Sequence, residues 1–201
     1  MAHAKALKRI GRYLKGCMSD GLVIKKSSSL ALDCYVDADF AGNYVKSEAD
    51  DPSSVRSRTG FVITFGAVPV LWKSTMRTEI ALSTMESEYI ALSTAMRSLL
   101  HLRALLDEVT SAFDLDLTRN VSNISTIFED NRACRMLATT DPPRLTPRSK
   151  SLAVKYHWFR SHLSDSIVIS DIDSKLQKGD GFTKPLPAPA FALFRRSVCG
   201  W

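Results

Sequence analysis

Two periodicities alternate along this chain. Residues 3–16, HAKALKRIGRYLKG, place Leu7, Ile10 and Leu14 at helical spacing, and Gly16 can end the helix. Residues 29–37, SLALDCYVD, switch to a period of two. Leu30, Leu32, Cys34 and Val36 share one face; Asp33, Tyr35 and Asp37 share the other. That pattern predicts a half-buried strand ending in an acid. Residues 43–58 are polar, contain a proline and read as a loop. GFVITF at 60–65 and VPVLWK at 68–73 are β-rich runs around Gly66-Ala67, the signature of a hairpin. A long helix is expected over 79–109, with an apolar stripe through Met85, Leu92, Ala95, Leu99, Leu102 and Leu106. ISTIF at 124–128 predicts a short strand, and a helix is expected after Asp130. Three prolines forbid a continuous helix over 141–149. A helix near 151–164, a strand near 166–171 and two short helical pieces split by Pro185, Pro187 and Pro189 complete the chain.

The order of elements is three strands, a long helix, a strand, two helices, a strand and terminal helices. Mixed alternation of this kind predicts an α/β sheet with helices on its faces. Apolar residues make up 45% of 201 positions, enough for a core. The net charge of +6 is compatible with a polyanionic partner. Cysteines at 17, 34, 134 and 199 lack CxxC spacing, against a zinc module or a disulfide scaffold, and suggest reduced thiols inside a cell. The longest apolar stretch, from Phe61 to Trp72, is interrupted by Gly66 and Pro69, so no membrane span is expected. The N-terminus lacks the apolar segment of a signal peptide.

Four acids stand out by position: Asp37 at the end of the first strand, Glu88 in the long helix, Asp130 after the fourth strand and Asp180 near the C-terminus. Glu88 is the most telling. It lies on the apolar stripe between Met85 and Leu92, and an acid facing a core must be paired, protonated or bound to a metal. Glu86 lies off the stripe, nearer solvent. Each of the others also has an ordinary reading. Asp37 can be a strand-end acid, with Asp39 on the same face. Asp130 can cap the next helix, and Asp180, between two glycines, can be a turn residue. Taken as a set, clustered carboxylates suit Mg²⁺, which prefers oxygen ligands. Two such ions about 4 Å apart can activate a water and stabilise the leaving oxygen of a phosphodiester.

The segments YVDADFAG, SRTGFVITFGAVPVLWKS, TEIALSTMESEYIAL, EDN, PPRLTPRSKSLAVKYHWFR and GFTKPLP together resemble the RNase H domain at the C-terminal end of a Ty1/copia-type retrotransposon polyprotein. YLKG with the downstream Gly21-Leu22 resembles the end of the reverse transcriptase of such elements. The resemblance implies an RNase H-like fold, a five-stranded mixed sheet flanked by helices. It implies hydrolysis of the RNA strand of RNA–DNA hybrids with two Mg²⁺ ions, Mn²⁺ being a possible substitute. It assigns the catalytic, metal-binding acids to Asp37, Glu88, Asp130 and Asp180. It divides the chain into a reverse transcriptase remnant over 1–28, an RNase H domain over 29–185 and a polyprotein tail over 186–201. The implied partners are an RNA–DNA hybrid and the reverse transcriptase domain of the same polyprotein, with no membrane and no small-molecule cofactor. The implied location is a cytoplasmic virus-like particle or the nucleus.

Two departures matter. A histidine usual in the family is replaced by Ser151, and the usual ADIFTK has become Gly179-Asp180-Gly181-Phe182-Thr183-Lys184. Glycines in a helix cost about 1 kcal/mol each relative to alanine, so the last helix is expected to be loosened around Asp180. Residues 142–164 carry Arg148, Lys150, Lys155 and Arg160 with His157 and no acid, a stretch suited to a phosphate backbone rather than only to a solvated helix face. Arg58, Thr59 and Lys73 border the hairpin and are expected to touch nucleic acid. Asn131 is the candidate donor to a 2′-hydroxyl. Trp72, Trp158 and Trp201 are expected in core or tail packing. The leading reading is an active hybrid-directed ribonuclease. The alternative is an inactive fragment that only binds nucleic acid. An integrase or transposase, which shares this chemistry, fits the KYHWF and FTKPLP segments poorly.

Overall fold

The computed structural model describes residues 2–25, 27, 30–48, 50–51, 54–113, 124–141, 150, 152, 156–164 and 166–201. Five strands form one mixed sheet: β1 (Leu32–Asp39), β2 (Arg58–Phe65), β3 (Val68–Met76), β4 (Ser125–Glu129) and β5 (Ile167–Asp171). Their order is β3-β2-β1-β4-β5. The first three pair antiparallel, and β4 is parallel to both β1 and β5. This is the architecture expected from the alternating pattern.

The hairpin between β2 and β3 turns on Gly66 (φ 58°) and Ala67 (φ 68°), both left-handed. Two successive positive φ values match the right-handed twist of the flanking strands, although alanine tolerates that region poorly. Pro69 lies on β3, at the sheet edge, where its missing N–H costs no ladder bond. The edge position also leaves Trp72 exposed rather than packed, a correction to the expectation for that residue.

Helix α1 (Ala2–Gly16) appears as expected. Its apolar stripe of Leu7, Ile10 and Leu14 stays exposed, and Tyr13 meets Phe191 edge-on. The long helix α2 (Thr84–Ala112) starts five residues later than the periodicity suggests. The Ser83 hydroxyl accepts from the Glu86 amide, and the Glu86 carboxylate accepts from the Leu82 amide. This reciprocal cap sets the start of the helix. The stripe packs as expected, with Leu92, Ala95 and Leu99 buried against Cys34, Val36, Phe61 and Ile63 of the sheet. Helix α3 (Arg132–Thr139) follows β4 and is capped by Asn131, whose side chain accepts from the Cys134 amide. Of the helix expected near 151–164, the described residues Leu152 and Tyr156 are helical, and a 3₁₀ segment, His157–His162, follows. Trp158 in it packs on Phe159 and donates to the Ser93 hydroxyl. The arginine of that segment, Arg160, donates to the Leu137 and Thr140 carbonyls at the end of α3.

Two short pieces close the chain. Helix α4 (Asp180–Thr183) is a single turn, and α5 (Ala188–Val198) sets Phe194 edge-on to Phe182. Near Trp201, the Arg195 guanidinium lies over the indole ring. The glycines around α4 are there for room. A Cβ on Gly179 would lie 2.8 Å from the Asp37 backbone N, and one on Gly60 would lie 2.5 Å from Thr183. Bare backbone on both sides is what allows α4 to seat against the middle of β1, so the expected loosening is replaced by close packing. Gly179→Ala should therefore cost about 1–3 kcal/mol in urea denaturation. Gly11→Ala, in open space inside α1, should instead stabilise, by up to about 1 kcal/mol.

Candidate functional site

Asp37 lies within β1, paired across to Gly60, and is 2% exposed. Glu88 emerges from the second turn of α2 and is 4% exposed. Asp130 follows β4 directly. One oxygen from each of these three carboxylates lies within 4.8 Å of the others. The cap of α3 is Asn131, which leaves the Asp130 carboxylate to accept from the Ser174 hydroxyl at 2.6 Å. Asp180 is not in this three-acid group. It pairs with Lys184 at 2.9 Å, and the same ammonium lies 3.4 Å from Asp37. The Thr183 hydroxyl donates to the other oxygen of Asp37.

A further acid, Glu129, is fully buried beside them. One of its oxygens accepts from the Asn131 amide at 3.0 Å. Oε2 of Glu129 and Oε2 of Glu88 are buried without a hydrogen-bond partner among the described residues. Desolvation, reinforced by the neighbouring acids, pushes Glu88 up to about 10 and Glu129 up to about 8. Asp37 is raised to about 6 by burial, although Thr183 and Lys184 oppose the shift. A buried Arg77 faces Glu88 electrostatically; it donates to Thr59 Oγ1 at 2.6 Å and to the Ser87 carbonyl at 2.5 Å. Gln177 ties the pieces together. Its amide donates to the Val36 and Phe128 carbonyls of β1 and β4 and its oxygen accepts from the Gly179 amide. The donor set is all oxygen, negatively charged and incompletely satisfied. That is the chemistry of a hard divalent cation site, and the residues fit Mg²⁺.

No family model matches the chain. Over 197 residues, 98% of its length, it is 30% identical to the retrovirus-related Pol polyprotein from transposon RE2 of Arabidopsis thaliana. It is also 30% identical, over the same length, to the corresponding polyprotein from transposon TNT 1-94 of Nicotiana tabacum. These homologues are Ty1/copia-type retrovirus-related Pol polyproteins. It spans only 12% of the Arabidopsis polyprotein and 13% of the tobacco one. Its fold is that of RNase H. The N-terminal RNase H domain of a Mycobacterium tuberculosis protein superposes with a TM-score of 0.51 at 10% identity, covering 84% of this chain and 99% of that domain.

Within the chain, the residues expected to contact nucleic acid separate into two groups. Lys73 and Lys150 are exposed and Arg58 is half-buried, donating to Ser74 Oγ at 3.2 Å. The other four described side chains are engaged internally: Thr59 is buried on Arg77, Asn131 Oδ1 accepts from the Cys134 amide, His157 Nδ1 pairs with the Tyr89 hydroxyl, and Arg160 donates to carbonyls at the end of α3. Arg148, Lys155 and Ser151 lie outside the described residues. Three site groups went unread in the sequence. Glu129 was detectable, because the alternation Ser125, Ile127, Glu129 places it on the buried face of β4. Lys184 was detectable as the i, i+4 partner of Asp180. Gln177 carries no local signal.

These shifts set a sign for stability against pH. The folded acids hold protons that the unfolded chain has already released, so the folded state loses stability as pH rises above the ordinary carboxylate range. Thermal denaturation in EDTA should show the midpoint falling from about pH 4 to about pH 10, the window bounded by unfolded carboxylates and folded Glu88. Excess Mg²⁺ should flatten the profile, because a bound cation replaces the protons.

Proposed function

We propose that this Pol segment is a ribonuclease H that cuts the RNA strand of RNA–DNA hybrids with two Mg²⁺ ions, Mn²⁺ serving in their place. The observation that carries the reading is the convergence of Asp37, Glu88 and Asp130 from three separate elements, with the buried Glu88 Oε2 left without a partner. Asp37, Glu88 and Asp130 would hold the metal, and Asp180 would complete the set beside Asp37. Bound divalent ions would lower the pKa of water and stabilise charge on the leaving oxygen. The chain's own work is to hold its acids in place. Thr183 and Lys184 orient Asp37, Ser174 orients Asp130, and Gln177 fixes the approach of α4 to β1.

Arg58, Lys73 and Lys150, with Arg148 and Lys155, would supply salt-sensitive contacts to phosphates. Asn131, adjacent to Asp130, would give its side-chain N–H to a 2′-hydroxyl, the group that marks RNA. In this reading residues 1–28 are the end of the reverse transcriptase, 29–185 the RNase H domain and 186–201 the polyprotein tail. The exposed stripe of α1 supports the first boundary. The location is intracellular, in a cytoplasmic virus-like particle or the nucleus. Among the described residues no helix is long and apolar enough to cross a membrane. A second reading, a folded binder without cleavage, is favoured by Ser151 at the family's histidine position.

A hybrid labelled on its RNA strand separates the two. The protein with Mg²⁺ should cut the RNA strand and leave single-stranded RNA and the DNA strand intact. Asp37→Asn and Asp130→Asn should remove cleavage while hybrid binding persists. Intact RNA with the folded protein, or unchanged cleavage by either variant, would refute the enzyme reading.

A further inference from the structure

The ammonium of Lys184 lies 2.9 Å from Asp180 Oδ1 and 3.4 Å from Asp37 Oδ1. It therefore sits on two of the four acids that the family resemblance assigns to metal, while the other two, Glu88 and Asp130, converge with Asp37. Lys184 is the C-cap residue of α4 and its side chain is 42% exposed, so it has open solvent to move into. Asp180 is 24% exposed and Asp37 is buried. The pair therefore lies at the mouth of the site, with the three-acid group behind it.

We propose that Lys184 is a built-in counter-ion that makes metal loading sequential. This rests on the reading of the site as a metal centre. The three-acid group takes the first ion. A second cation between Asp37 and Asp180 must displace the ammonium, because two positive charges cannot share those oxygens at such distances. Without metal, the same ammonium keeps Asp37 and Asp180 from repelling each other and holds α4 on β1. Lys184 is thus a positioning residue that sets the affinity of the outer cation position relative to the inner one. The lysine stem lets the charge swing out; the planar guanidinium of arginine, with its fork of donors, would hold both carboxylates more firmly.

Mn²⁺ titrations followed by electron paramagnetic resonance and by calorimetry read the two positions without substrate. The full chain should bind one ion well and a second more weakly. Lys184→Met should tighten the second step by roughly tenfold and leave the first within about twofold. Lys184→Arg should leave the second step as weak as in the unaltered chain or weaker. Circular dichroism checks that each variant is folded, and the metal-free Lys184→Met protein should melt lower, the deficit closing when Mn²⁺ is added. Two equal steps in the unaltered chain, a second step unmoved by Lys184→Met, or one weakened by it would overturn the counter-ion role while leaving the metal centre standing. No Mn²⁺ bound by any of the three proteins, with Asp130→Asn indistinguishable from them, would overturn the metal centre and the counter-ion role together.

Discussion

Carboxylates that are forced together inside a protein repel one another and resist desolvation, and nothing apolar can settle them. Asp37, Glu88 and Glu129 meet this condition where β1, β4 and α2 come together, with the less buried Asp130 beside them. Leaving such groups ionised and unpaired costs several kcal/mol each, so they must take up protons or a cation. The two orphaned oxygens, on Glu88 and Glu129, are where the internal hydrogen bonds run out. The geometry of the surrounding chain serves to hold the acids in this arrangement.

That support comes largely from one short segment. Residues 174–184 run across the ends of β1 and β4 and provide a hydroxyl to Asp130, an amide bridge between the two strands, a hydroxyl to Asp37 and an ammonium shared by Asp37 and Asp180. The segment reaches the strand only because Gly60 and Gly179 present bare backbone. A sequence change that looks like erosion of a helix is, in the folded chain, a condition for the contact. Phe194 of α5 then closes over Phe182 and Gly181, so the end of the chain buttresses the site.

Much of the fold was legible from periodicity. The alternation in 29–37, the hairpin runs and the stripe of the long helix each map onto an observed element, because one-sided burial writes a period into the sequence. The start of α2 was not legible, since it depends on the reciprocal cap of Ser83 and Glu86 rather than on apolar spacing. Glu88 was readable as an acid on a core-facing stripe, and the structure buries it there. The convergence of Asp37 and Asp130 with it was readable only through the family resemblance, because separation along the chain says nothing about distance in space. Thr59, His157 and Arg160, expected at a nucleic-acid face, make internal contacts that the sequence did not announce. A run of basic and polar residues looks like a nucleic-acid face, whereas burial turned these three inward to Arg77, Tyr89 and the end of α3.

The central claim is that the acids converge in order to hold divalent cations. Crystals of the full chain soaked in Mn²⁺ and measured at the manganese absorption edge test it most directly. The account predicts an anomalous peak ligated by Asp37, Glu88 and Asp130, with any second peak lying between Asp37 and Asp180. Well-ordered acids with no anomalous peak among them, or manganese bound only elsewhere, would contradict it.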